Sequence, residues 1–91
     1  MSLKKAYIMS MDTFEGLRYY ISNLKENLVS DDLFDKVRYL HKNGEWGRYC
    51  GEENLYQAYF QAEMICIEHG IEYEGEYDYS VNFLTVEEME L

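Results

Sequence analysis

An α+β fold, a small three-helix domain with a central buried third helix and a short antiparallel strand unit near the C-terminus, is predicted by three features. Apolar residues recur at three-four spacing in the first third of the chain and again across its middle. From Ile71 the period drops to two. Six glycines and no proline leave glycine to mark the boundaries between elements. At 91 residues one compact domain is expected over 1–91, with 1–5 and 87–91 as frayed ends. A hydrophobic share of 47% supplies a core and excludes wholesale disorder.

Residues 6–9, Ala-Tyr-Ile-Met, are short and apolar and are read as a first strand. Asp12 and Glu15 have the spacing of a capping box. Phe14, Leu17, Ile21, Leu24 and Leu28 then draw one stripe, which predicts a first helix. Ser30-Asp31-Asp32 opens a second helix whose stripe is Leu33, Val37 and Leu40. Lys36, Arg38 and Lys42 load its far end before Asn43-Gly44, so the charges complement the helix dipole. Three glycines make residues 43–51 a loop. The third helix is expected from Glu52-Glu53-Asn54 to His69. Tyr56, Phe60, Met64 and Ile67 form one stripe and Leu55, Tyr59, Ala62 and Cys66 another, so it should be buried on most sides. Beyond it Ile71, Tyr73, Gly75, Tyr77, Tyr79, Val81 and Phe83 alternate with Glu72, Glu74, Glu76, Asp78, Ser80 and Asn82. That reads as a half-buried strand, or as a hairpin turning near Gly75-Glu76. Thr85 with Glu88 would cap a last helical turn, or lie in an acidic tail.

Charge is the most uneven property of the chain. Eight Lys and Arg stand against eighteen Asp and Glu, for a net charge of −10. This argues against direct binding to nucleic acid or to an anionic membrane. All eight cations lie in residues 1–48 with seven acids, whereas residues 49–91 hold eleven acids and no Lys or Arg. At least one surface must therefore carry a strong negative field, which bears on partners rather than on fold.

The row Glu72, Glu74, Glu76 and Asp78 is the leading candidate site. Same-face residues of a strand lie ~6.6–6.8 Å apart, close to the advance of every second phosphate along one DNA strand. Such a row suits a cationic groove made for nucleic acid. The plainer reading is the wet face of an edge strand, charged to prevent sheet-to-sheet pairing. Glu52 and Glu53 add to the acidic surface, and Tyr73 and Tyr77 interleave with it. Trp46-Gly47-Arg48-Tyr49 holds residue types favoured at binding hot spots, so Trp46 and Tyr49 join the partner-binding set. The plainer reading folds Trp46 back as a lid on the core. Ten tyrosines suit either a core edge or an interface.

Other chemistries fit less well. A calcium loop begun at Asp78 would need Gly at its sixth place and Glu at its twelfth, where Phe83 and Met89 stand. Cys50, Cys66, His41 and His69 have the count of a zinc site but no CxxC or HxxxH pair. No nucleophile–base pair marks an enzyme, and no metal or cofactor is expected.

No apolar run is long enough for a secretory core or a membrane span. With two cysteines read as free thiols, a cytoplasmic setting is expected. In size and charge alone, the chain resembles small acidic inhibitors that phages and mobile elements direct against restriction or CRISPR systems. The expected function is therefore protein binding: mimicry of nucleic acid on a basic surface of another protein, steered by charge and locked by Tyr and Trp. The alternative is a housekeeping adaptor or homo-oligomer whose charge serves solubility.

Overall fold

Helical spacing misleads in the first third of the chain, where the structure has a β-hairpin. The computed structural model describes residues 5–24, 27–28, 35–79 and 83–84. Strands β1 (Lys5–Thr13) and β2 (Gly16–Ser22) run antiparallel, with Ile8 opposite Ile21 and Met9 opposite Tyr20. Leu17 and Ile21, four apart, share a side of a strand as readily as a face of a helix, and Tyr19 between them completes a period of two. Asp12 and Glu15 form no cap. The Thr13 hydroxyl instead donates to the Gly16 carbonyl at 2.7 Å and accepts from the Glu15 N–H at 3.2 Å. Gly16 has a φ of 110°, which closes the turn and which other residues rarely adopt. Ala6, Ile8, Met9 and Ser10 are all buried, the signature of a strand covered on both faces.

The second expected helix is overturned after Lys36. Asp35 and Lys36 are helical, but Tyr39–Leu40 is strand β4, and residues 30–34 lie outside the described residues. The cause is Asn23 at the end of β2: its Oδ1 accepts from the Arg38 N–H at 2.7 Å, and its N–H donates to the Arg38 carbonyl at 3.0 Å. That capture holds the chain extended, so Tyr39 pairs with Ser22. A turn in which the His41 N–H donates to the Glu45 carbonyl leads into β5 (Trp46–Gly47), antiparallel to β4. Leu28, the last residue of the expected first-helix stripe, lies in β3 (Asn27–Leu28), which pairs in parallel with β7 (Phe83–Leu84) as a separate two-stranded sheet.

The third expected helix, α1 (Tyr59–Glu68), is shorter and less enclosed than expected. Glu52–Asn54 makes an isolated 3-10 turn. Tyr56 is drawn into the sheet, exchanging two 2.8 Å backbone hydrogen bonds with Tyr19. The helix starts only after that bridge. Gln61 satisfies its open end, its Oε1 accepting the N–H groups of Gln57 and Ala58 at 2.9 and 3.0 Å. Ala62 and Cys66 face the sheet and are fully buried, whereas Phe60, Met64 and Ile67 are 63%, 58% and 59% exposed. It lies on one face of a sheet; it is not a central pillar.

Strand β6 (Glu72–Asp78) runs straight through Gly75, which excludes the hairpin, and pairs with β1 in parallel, not antiparallel. The five-stranded sheet has the order β5-β4-β2-β1-β6, so β6 is an edge. The parallel pairing follows from topology, since α1 carries the chain across the sheet before β6. Gly75 is required by a close approach: a Cβ there would lie 3.0 Å from the Ile8 Cβ and 2.8 Å from the Tyr59 hydroxyl. The fold remains α+β in the broad sense, with Ala6, Ile8, Ile21, Leu40, Tyr56, Ala62 and Cys66 as its core. Thr85 and Glu88 fall outside the described residues.

Candidate functional site

The acidic strand does not present one straight row of carboxylates. Between Ile8 and Met9 the register of β1 against β6 shifts, so Gly75 stands opposite Ile8 but Tyr77 opposite Met9. Before the shift, Glu72 and Glu74 stand opposite Lys5 and Tyr7; after it, Asp78 stands opposite Ser10. Lys5 and Tyr7 share one face of the sheet, and Ser10 lies on the other with Ile8. The carboxylates are thereby divided between the two faces of a sheet edge.

Each carboxylate has its own setting. Glu74 is ion-paired with the Lys5 ammonium and accepts from the Tyr77 hydroxyl at 2.6 Å. Hydrogen bonding to Glu74 raises the pKa of both Lys5 and Tyr77; burial adds to the rise for Tyr77 and opposes it for Lys5. Tyr77 also meets Tyr7 edge to face, with ring centroids 5.9 Å apart. Glu76 reaches the opposite side, towards Tyr19 and Tyr59; burial first, then the charge of Glu76, raises the Tyr19 pKa. Glu72, Glu76 and Asp78 are exposed. Glu52 and Glu53 are exposed on the 3-10 turn, a separate part of the surface.

The aromatic candidates divide as well. Trp46 is half-buried against the core, as the lid reading expects. Tyr49 is 73% exposed, and its carbonyl accepts from the His41 Nε2 at 2.7 Å. Tyr73 packs against the core while its hydroxyl donates to Glu63 at 2.7 Å, tying β6 to α1. That hydrogen bond, helped by burial, pushes the Tyr73 pKa up to about 12.

Among the described residues three ion pairs form. Arg18–Glu15 and Arg48–Asp35 both stay within the front half, and Lys5–Glu74 joins the two halves. Of these three pairs only Lys5–Glu74 reaches an acid of the second half.

Two features escaped sequence reasoning. One is a cleft of about 290 Å³ on the sheet face away from α1, with Met11, Tyr20, Tyr39, Tyr49, Cys50 and Tyr79 in its walls. Arg48 stands at this cleft. Its parts are scattered over five segments, and only the surplus of tyrosine hints at it. The other is the exposed stripe Phe60, Met64 and Ile67, whose spacing was visible but was assigned to the interior. Burial pushes the Cys50 and Cys66 thiols up to about 11, so both are protonated at neutral pH. Among the described residues no cluster of three or more His, Cys, Asp or Glu could hold a metal ion. Nor, among them, is any helix long and apolar enough to cross a membrane. Compared with protein-family models, curated proteins and solved structures, the chain matches none of them.

Proposed function

We propose that this chain is a small acidic protein-binding protein that occupies a basic surface on another cytoplasmic protein, one that otherwise holds nucleic acid. The observation that carries this reading is the exposure of Glu52, Glu53, Glu72, Glu76 and Asp78 while Arg18 and Arg48 are engaged by acids of the front half. Eleven carboxylates with no cation after Arg48 give a field that accelerates encounter with a cationic surface. The divided edge supports occupancy by overall charge rather than a phosphate-by-phosphate copy of one DNA strand. Inhibition of a restriction or CRISPR protein is the specific form of this reading, and its only support is size and charge.

The second reading, a self-associating protein whose charge serves solubility, is favoured by one placement. β6 lies at a sheet edge, where charge blocks unwanted strand pairing.

Capture from a bacterial lysate on the immobilised chain tests the first reading. A basic protein should be retained, displaced by duplex DNA, and released above about 0.5 M NaCl. The variant with Glu52, Glu53, Glu72 and Glu76 all changed to Lys should lose it. Retention by that variant, or indifference to added DNA, would overturn the reading.

A further inference from the structure

We infer that the outer face of α1 is a self-association surface, and that its occupant is α1 of a second copy of this chain, packed antiparallel about a two-fold axis at Met64. This goes beyond the acidic-surface reading and does not depend on it.

The helix exposes Phe60, Met64 and Ile67 at i, i+4 and i+7, each more than half accessible. Contiguous exposed apolar surface of this kind marks an interaction site. Gln57 and Gln61 stand beside the stripe, Glu68 borders one flank, and Glu63, half-buried and bonded by the Tyr73 hydroxyl, borders the other. In a chain of net charge −10 the strip itself carries no charge, and Glu63, the carboxylate nearest the two-fold, is held by the Tyr73 hydroxyl. A cationic partner gains nothing from a neutral apolar strip, whereas a second copy finds the same strip complementary to itself.

The flank of the strip adds charge complementarity. Lys42 lines the groove beside Phe60, Gln61 and Met64, and its ammonium lies 5.5 Å from the Tyr56 ring, near the start of the helix. Glu68 is exposed at the other end, on the same side of α1 as Gln61. In an antiparallel two-fold pair like flanks adjoin with their ends exchanged. Lys42 of each copy then faces Glu68 of the other, while Phe60 meets Ile67 and Met64 meets Met64. A ten-residue helix is about 15 Å long, so the contact is smaller than a standard interface and the dimer is weak, on the order of micromolar.

Sedimentation of the full chain across the micromolar range, at about 0.05 to 0.5 M NaCl, tests this directly. A monomer–dimer equilibrium is expected, tightening several-fold with salt as the mutual repulsion of two −10 copies is screened. Met64→Glu should weaken it by roughly 30-fold with an unchanged circular dichroism spectrum. Lys42→Glu should also weaken it, and the double exchange Lys42→Glu with Glu68→Lys should restore it. A chain monomeric throughout, a dimer that survives Met64→Glu, assembly beyond two copies, or an exchange that restores nothing would each overturn the inference. Because Met64→Glu leaves the acidic edge intact, DNA-displaceable capture of a basic protein succeeds or fails separately.

Discussion

The β6 edge and the outer face of α1 adjoin in sequence, yet they present water with opposite chemistry. Both elements pack one side on the same core, through Tyr73 in the strand and Ala62 and Cys66 in the helix. The strand leaves Glu72, Glu76 and Asp78 exposed along the sheet edge, and the helix leaves Phe60, Met64 and Ile67 exposed on its outer face. The difference lies in what each open side must prevent or permit. An edge strand left apolar would pair with other chains, and charge stops that. A helix has no unpaired backbone along its length, so its open face can stay apolar and serve as a contact. The two surfaces should therefore answer salt in opposite directions.

The largest effect expected separates the two sides of α1. Ala62→Asp places a carboxylate where nothing is exposed, and should cost more than about 3 kcal/mol in urea unfolding. Met64→Ser on the outer side should change monomer stability by no more than about 0.5 kcal/mol. Equal costs would mean that the outer stripe is buried after all.

Next comes Gly75, which decides how closely β6 can lie under the helix. Gly75→Ala should destabilise by about 1–2 kcal/mol, because the Ile8 Cβ 3.0 Å away cannot yield as a flexible side-chain tip could. A stabilised variant would mean that strand and helix are more loosely joined.

Tyr56 should give a gain. Its hydroxyl is buried without a hydrogen-bond partner, so Tyr56→Phe should raise stability by about 1 kcal/mol in urea unfolding. A loss would reveal a partner for that oxygen.

Alkaline pH tests the tie between the two elements. Tyr73 is held up to about 12 by its hydrogen bond to Glu63, and Tyr56 to about 12 by burial, both from 10. Burial raises Cys66 to about 11 from 9. The folded state thus holds protons that the unfolded chain gives up sooner. These contributions are fully present below about pH 9 and are lost as pH rises through 11 and 12. Urea midpoints that fall across this window are expected, with a shallower fall in Tyr73→Phe. A flat profile would show that these groups ionise alike in both states.

The smallest effect belongs to the edge. Glu72→Lys should change stability by less than about 0.5 kcal/mol, towards a gain, since it removes like-charge repulsion.

The same contrast explains what could be read in the sequence. A strand over Glu72–Asp78 was legible from its period of two, although the extra residue Glu76 breaks that alternation in the fold. The charge division was legible because it needs only counting. The first helix was misread because Leu17 and Ile21 satisfy both periods, and the deciding signal is the Thr13–Gly16 turn rather than the stripe. The late start of α1 depends on Tyr56 bonding Tyr19, thirty-seven positions away, which no local pattern carries. The division of the acidic row arises where β6 carries one extra residue, Glu76, between the partners of Ile8 and Met9, a register that depends on β1 and is invisible from Glu72–Asp78 alone.

The central claim, that the acids concentrated in the second half give the chain a negative field that its eight cations do not offset, is tested most directly by urea unfolding at rising ionic strength. In an uncharged denaturant, NaCl from about 0.02 to 0.5 M screens whatever charges interact in the folded chain. Self-repulsion predicts an unfolding midpoint that climbs steadily with salt. A midpoint that falls would show a fold held by ion pairs, with its carboxylates already matched, and would contradict the account.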